Sequence, residues 1–295
     1  MTVKLNVRLA IELANAGLRR SPVEFCLPLV AVGVGTSVAE VVVHRVLGQG
    51  AALWIGLLPV LGCVVANYVA ELLVATMYLD LSSAGGPSLG RAWRAVRYKG
   101  AGRVMWGLFV RYLGWGVVIG LATIVMSAVI IAATAVVRVA GSEVSGVAAV
   151  AGGASHTVLW AVLFPLLFAL VYSRYLFVIP VVAIAGESGG QELIHDSELR
   201  TRLVRGTAIL LAFAESLPTM VIYVTQRLAF GGLDAYHGSR VGAGVVGSLI
   251  AGCCMTWFVL VRTGLAVQLL EQVPLVSRLP GYAPWGGLDQ GTNRA

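Results

Sequence analysis

The residues with chemical capacity in this chain are a few charges set in apolar stretches. Glu71, Arg111, Arg174 and Glu215 each lie within a run of residues long and apolar enough to cross a bilayer. A charge at the bilayer centre costs about 2.5–3.5 kcal/mol on insertion scales, so such residues turn inward and pair. The separations Glu71–Arg111 and Arg174–Glu215 are 40 and 41 residues, the first acid then base and the second base then acid. At 1.5 Å per residue, all four lie about 12–15 Å from the inner surface. The spacing predicts one buried cluster, with Asn67 extending it from one turn away on the Glu71 helix. Pro165, Pro180 and Pro218 lie close by in sequence. Three readings fit: interhelical ion pairs that fix packing, a proton or substrate path beside proline-broken helices, or charges that snorkel independently.

A second group is Arg91, Trp93, Arg94, Arg97 and Lys99, within GPSLGRAWRAVRYKG at 86–100. Basic residues around a tryptophan on a short amphipathic helix suit anionic lipid headgroups. Topological charge bias would also place bases there. The stretch GQELIHDSELRTRLVRG at 190–206 reads as another such inner-surface helix or, equally, as an ordinary solvated helix linking two spans, and residues 2–20 as a third inner-surface helix.

No metalloprotease, P-loop or dinucleotide motif is present, so no catalytic residues and no cofactor are expected. His44, His156 and His237 come from three different connections without ligand spacing, so no metal site is expected either. Cys26, Cys63, Cys253 and Cys254 sit in apolar runs and read as small hydrophobes.

The elements that must position these groups follow from composition. Of 295 residues, 58% are hydrophobic and 12% charged, with mean hydropathy +0.86. That excludes a soluble globular domain, a disordered chain and a nucleic-acid reader. Six apolar windows, at about 25–47, 53–79, 104–137, 157–184, 205–230 and 242–270, predict six transmembrane helices. Residues 1–272 form one six-span membrane domain, and 273–295 an irregular cytoplasmic tail. The net charge is +7, and 14 basic residues fall on one side of these windows against 4 on the other. That bias puts both termini in the cytoplasm and the protein in a plasma (inner) membrane.

Small residues recur at four-residue steps at Gly33–Ser37, Gly116–Gly120 and Gly244–Ser248–Gly252, where helices can approach closely. The placement of the four charges suggests an internal repeat. Spans 2–3 and 4–5 would each be a span, an inner-surface helix and a span.

The stretch RYLFVIPVVAIAGESGGQELIHDSELRTRLVRG, 174–206, resembles a segment of a six-span family. The family comprises the membrane domain attached to some glycerophosphodiester phosphodiesterases and related stand-alone membrane proteins of unknown function. The shared features are Arg174, Pro180, the glycine turn from Gly186 to Gly190, Ser197 and Arg205-Gly206. Glu192, Asp196 and Glu198 depart from the pattern. The resemblance implies a membrane bundle without the hydrolase, whose catalytic barrel is a separate soluble unit.

The expected protein is thus an all-α polytopic six-helix bundle, not an enzyme. It acts as a scaffold, assembly factor or subunit of a membrane complex. A small transporter using the Glu/Arg cluster is the alternative, and a membrane-embedded lipid-modifying enzyme a second. Expected partners are membrane lipids, anionic ones above all, and a protein partner or second copy.

Overall fold

The computed structural model describes residues 3–47, 53–82, 86–98, 101–140, 166–167, 169–185, 190–230 and 238–273. All regular structure among them is helical. The helices are α1 (Val7–Arg20), α2 (Pro22–Leu47), α3 (Leu53–Leu79), α4 (Leu89–Tyr98), α5 (Ala101–Ala140), α6 (Val178–Ala185), α7 (Gly190–Leu203), α8 (Arg205–Phe230) and α9 (Gly238–Gln272). Single 3₁₀ turns occupy Asp80–Ser82 and Ser173–Tyr175.

Three described stretches are long and apolar enough to cross a membrane: Pro22–Ala39, Gly62–Leu79 and Gly244–Gln272. Ala169–Ile184 is a shorter apolar stretch. Continuous helix also covers the fourth-from-last and fifth sequence windows, as α5 and α8. Part of the 157–184 window, the turn at 186–189 and nearly all of the 273–295 tail lie outside the described residues.

Helix α9 is the hub, packing against α1, α2, α3, α6 and α8. Its stretch Val259–Ala266 is buried on every side. Apart from Arg262 and Thr263 the stretch is apolar all round, as an enclosed helix is. Gly264 permits part of this, since a Cβ there would stand 2.8 Å from the Tyr78 hydroxyl. Further along, α9 crosses α2 at Gly252, where a Cβ would meet Val30 backbone at 2.8 Å. The stripes read from the sequence meet here. Ser248 packs on Gly33, and its hydroxyl lies 2.7 Å from that of Ser37.

Helix α1 is seated by polar contacts. Asn6 caps it, accepting from the Leu9 N–H at 3.0 Å. Ala10, Ala14 and Gly17, on one face, are buried. The extended residues before it are held by two amides one turn apart on α9. The Gln268 carbonyl accepts from Asn6 N–H at 2.7 Å and its amide donates to Asn6 C=O at 3.2 Å. Gln272 does the same with Lys4, at 3.2 and 2.8 Å. Each side chain thereby satisfies both groups of one peptide residue. Pro22, whose ring suits a first helical position, opens α2 directly after the Ser21 cap.

The two short connecting helices differ. In α4, Arg91, Trp93, Arg94 and Arg97 are exposed over a seat of Ala92 and Val96. Helix α7 was expected on the inner surface. One of its faces is wedged among α5, α6, α8 and the Ser173–Tyr175 turn, while His195, Leu199, Arg202 and Leu203 are exposed. Leu193, Ile194, Ser197, Arg200 and Thr201 are buried there. Arg200 accounts for the difference. It pairs with Asp196 at 3.0 Å and donates to Val273 C=O at the end of α9. A cation on the terminal carbonyls of a helix is well placed, and it draws α7 inward.

Candidate functional site: a buried tie on Arg262

Glu71 and Glu215 do converge, but on Arg262. Arg262 is fully buried (0% exposed), with Glu215 at 3% and Glu71 at 8%. One guanidinium nitrogen, Nη2, donates to Glu71 Oε2. The other, Nη1, donates to the Tyr172 hydroxyl and lies 3.4 Å from Glu215 Oε1. Tyr172 in turn donates to the same Glu215 oxygen at 3.4 Å. The guanidinium carbon sits 5.9 Å from the Tyr172 ring centroid. A planar guanidinium offers five donors in a fixed fork, which lets one side chain bind groups on several elements. Here it ties α9 to α3, α8 and the helical segment carrying Tyr172.

Two acidic side chains face one guanidinium, so acids outnumber bases in the tie. Satisfaction is incomplete as well. Glu215 Oε2, Arg262 Nε and the Tyr68 hydroxyl, the last on the Glu71 face of α3, have no hydrogen bond among the described residues. An aromatic shelf surrounds the tie. Tyr112 of α5 stacks 6.3 Å from Tyr172 and meets Tyr175 edge-on at 5.4 Å.

The pairings expected from the sequence, Glu71 with Arg111 and Arg174 with Glu215, are corrected by this geometry. Arg111 pairs with Glu198 of α7 at 3.9 Å. Arg174 lies over the Trp115 ring, 4.9 Å from its centroid. The cause is the placement of α9, which brings its own base between the two acids. Asn67 is also elsewhere. Its amide reaches Cys63 Sγ at 3.6 Å, and that sulfur lies 3.0 Å from the Thr36 hydroxyl of α2. It therefore belongs to the α2–α3 contact. The residue missed as a cluster member, Arg262, had one available signal. It is an in-span arginine, and no carboxylate lies near it on its own helix within the apolar stretch.

In the headgroup candidate group, Arg91 is turned back on its own loop. It lies 3.7 Å from Asp80 and donates to Gly86 C=O, where the glycine holds φ +64°. Arg94 donates to Gly90 C=O at 3.3 Å, while Trp93 and Arg97 are exposed. Lys99 lies outside the described residues.

No known protein family, curated protein or solved structure matches the chain.

Proposed function

We propose that this chain is a non-catalytic six-span membrane bundle, with both termini cytoplasmic, that serves as a scaffold or subunit of a plasma-membrane complex. The observation that carries the reading is the Arg262 tie. A fully buried guanidinium bound to two acids and a tyrosine from three other segments spends its charges on cohesion. The exposed apolar residues along α5, α8 and α9 suit lipid or a partner helix. Exposed Trp93, Arg94 and Arg97 suit an anionic inner leaflet. The resemblance of 174–206 to the six-span membrane domains accords with a bundle that has no catalytic barrel.

The test is gentle extraction from native membranes with mass spectrometry of whatever co-purifies. A stoichiometric protein partner supports the reading, and an isolated chain argues against it.

One observation favours a second reading, a small carrier. Acids outnumber the base in the tie, and Glu215 Oε2 is unbonded among the described residues. An excess buried acid of this kind can load and release a cation. Proton or solute flux in reconstituted vesicles, abolished by Glu215→Gln with folding retained, would establish that reading over the scaffold.

A further inference from the structure

Arg111 and Arg174, two bases in apolar windows that the tie leaves aside, are arranged reciprocally. The Arg111 guanidinium carbon lies 5.9 Å from the Tyr175 ring centroid, and that of Arg174 lies 4.9 Å from the Trp115 centroid. Arg111 and Trp115, four residues apart, share one face of α5. Arg174 and Tyr175 are neighbours in the 3₁₀ turn. Each element thus lays its base over the other's ring. A guanidinium over a ring keeps edge donors that the ring does not use. Arg174 is exposed, and the Arg111 side chain is 33% exposed.

The local charge is positive. Glu198 is shared between Arg111 at 3.9 Å and Arg202 at 3.3 Å. Arg174 has an aromatic ring but no carboxylate partner among the described residues. Arg111 Nη1 is buried on the Glu198 side, so the exposed third of this side chain offers its other donors.

The level of the pair follows from its neighbours. Helix α7, with Asp196, Glu198 and Arg202, packs beside α5 here, so polar side chains share this depth. Trp106, exposed and stacked on Phe109 at 5.6 Å, precedes Arg111 on α5 as an interfacial aromatic would. Beyond Arg111, at 3.6 residues per turn, exposed Val118, Leu121 and Val125 continue its side of α5. Leu121 lies about 15 Å along, half the thickness of a hydrocarbon core. The surface is therefore cationic at one end and apolar for the depth of one leaflet.

We infer that Arg111 and Arg174 together bind the phosphate of an anionic phospholipid in the inner leaflet, with an acyl chain lying along Val118, Leu121 and Val125. The inference rests on the chain spanning a membrane. It assigns these arginines a ligand in place of the buried acids expected from the sequence.

The experiment is native mass spectrometry of the purified full chain in mild detergent, with phosphatidylglycerol and phosphatidylcholine at equal concentration. Wild type should retain phosphatidylglycerol about tenfold or more over phosphatidylcholine, the worth of a charge-assisted contact. Arg111→Gln with Arg174→Gln should abolish the preference, and Arg94→Gln with Arg97→Gln should leave it. Arg174→Gln alone, at an exposed side chain, gives the same reading with reduced preference should the double variant fail to fold. Equal retention of the two lipids by wild type overturns the inference, as does a preference that follows Arg94 and Arg97. Full competition by soluble glycerol phosphate also overturns it, because the site would then be for a phosphate and not a lipid. Release of the chain from membranes by alkaline carbonate would instead sink the membrane reading, whatever lipid it retains.

Discussion

Helix α9 is held to its neighbours in two different ways along its length. From Gly244 to Gly252 it lies against α2 through glycines and serines, with one hydroxyl contact, while Val246, Leu249 and Ile250 stay exposed. From Val259 to Ala266 it is enclosed, and a charged tie crosses the enclosure. The first contact gains dispersion energy from close approach, and each atom contributes little. The second depends on groups that are costly to bury and costlier to leave unpaired. Substitution should therefore wear the first end down gradually, and break the second abruptly.

The sharpest test is Arg262→Met. It leaves Glu71 and Glu215 buried without their cation, and the expected loss is about 3–5 kcal/mol of stability. Thermal unfolding of the purified protein, or its failure to accumulate in membranes, reads this directly. The triple change Arg262→Met, Glu71→Gln, Glu215→Gln removes the charges together and should recover most of the loss. If the triple variant is as unstable as the single, the arginine acts through its volume, and the contrast between the two ends collapses.

Next comes Gly252→Ala. Three atoms of Val30, two of them backbone, would stand 2.8 to 2.9 Å from the new Cβ, so the helices must part. Overpacking of this kind costs about 1–3 kcal/mol. Gly244→Ala is the control on the same stripe, with Ser37 atoms no closer than 4.0 Å. It should leave the unfolding midpoint unchanged. Equal losses at both glycines would show that the close approach at Val30 sets nothing.

The sequence showed the parts of both ends, but not how they meet. Apolar runs bounded by Gly, Pro and charge mark helices, so the extents of α3 and α8 are readable without coordinates. The stripes at Gly33–Ser37 and Gly244–Ser248–Gly252 are readable too, because small residues at four-residue steps have few other uses in apolar helices. That these two stripes meet each other is a tertiary fact. The charged tie was half legible. Glu71 and Glu215 stand out as acids in apolar runs, but their base lies 191 and 47 residues away on a third helix. A two-unit repeat, read from near-equal spacings, drew attention to Arg111 and Arg174 instead. The burial of one face of α7 was not legible for a related reason. Mixed acids and bases at helical spacing look solvated, yet Arg200 and Asp196 neutralise each other and Arg200 also donates to the end of α9.

The clasp at the buried end offers a smaller effect. Gln268→Ala and Gln272→Ala each remove a two-way bond to an extended residue at an exposed site. The expected cost is about 0.5–1.5 kcal/mol apiece. Amide hydrogen exchange at Asn6 and Lys4 should accelerate in the matching variant and not in the other. Uniform acceleration across α1 in both would mean that α1 docks as one unit through Ala10, Ala14 and Gly17, with the glutamines incidental.

The smallest effect belongs to the one polar contact in the small-residue end. The Ser37 and Ser248 hydroxyls lie 2.7 Å apart between α2 and α9. A hydroxyl pair between apolar helices sounds decisive, because water cannot replace the lost partner. The unfolded helices, however, find other partners within the membrane, and measured couplings of this kind average about 0.6 kcal/mol. A double-mutant cycle of Ser37→Ala and Ser248→Ala, read by denaturant titration in micelles, should return a coupling near that value. Each single change should also be mild, since alanine keeps the close approach that glycine and serine allow. A coupling of about 2 kcal/mol or more would place this contact with the Arg262 tie in kind. The two ends of α9 would then differ in amount of polar cohesion, and not in its nature.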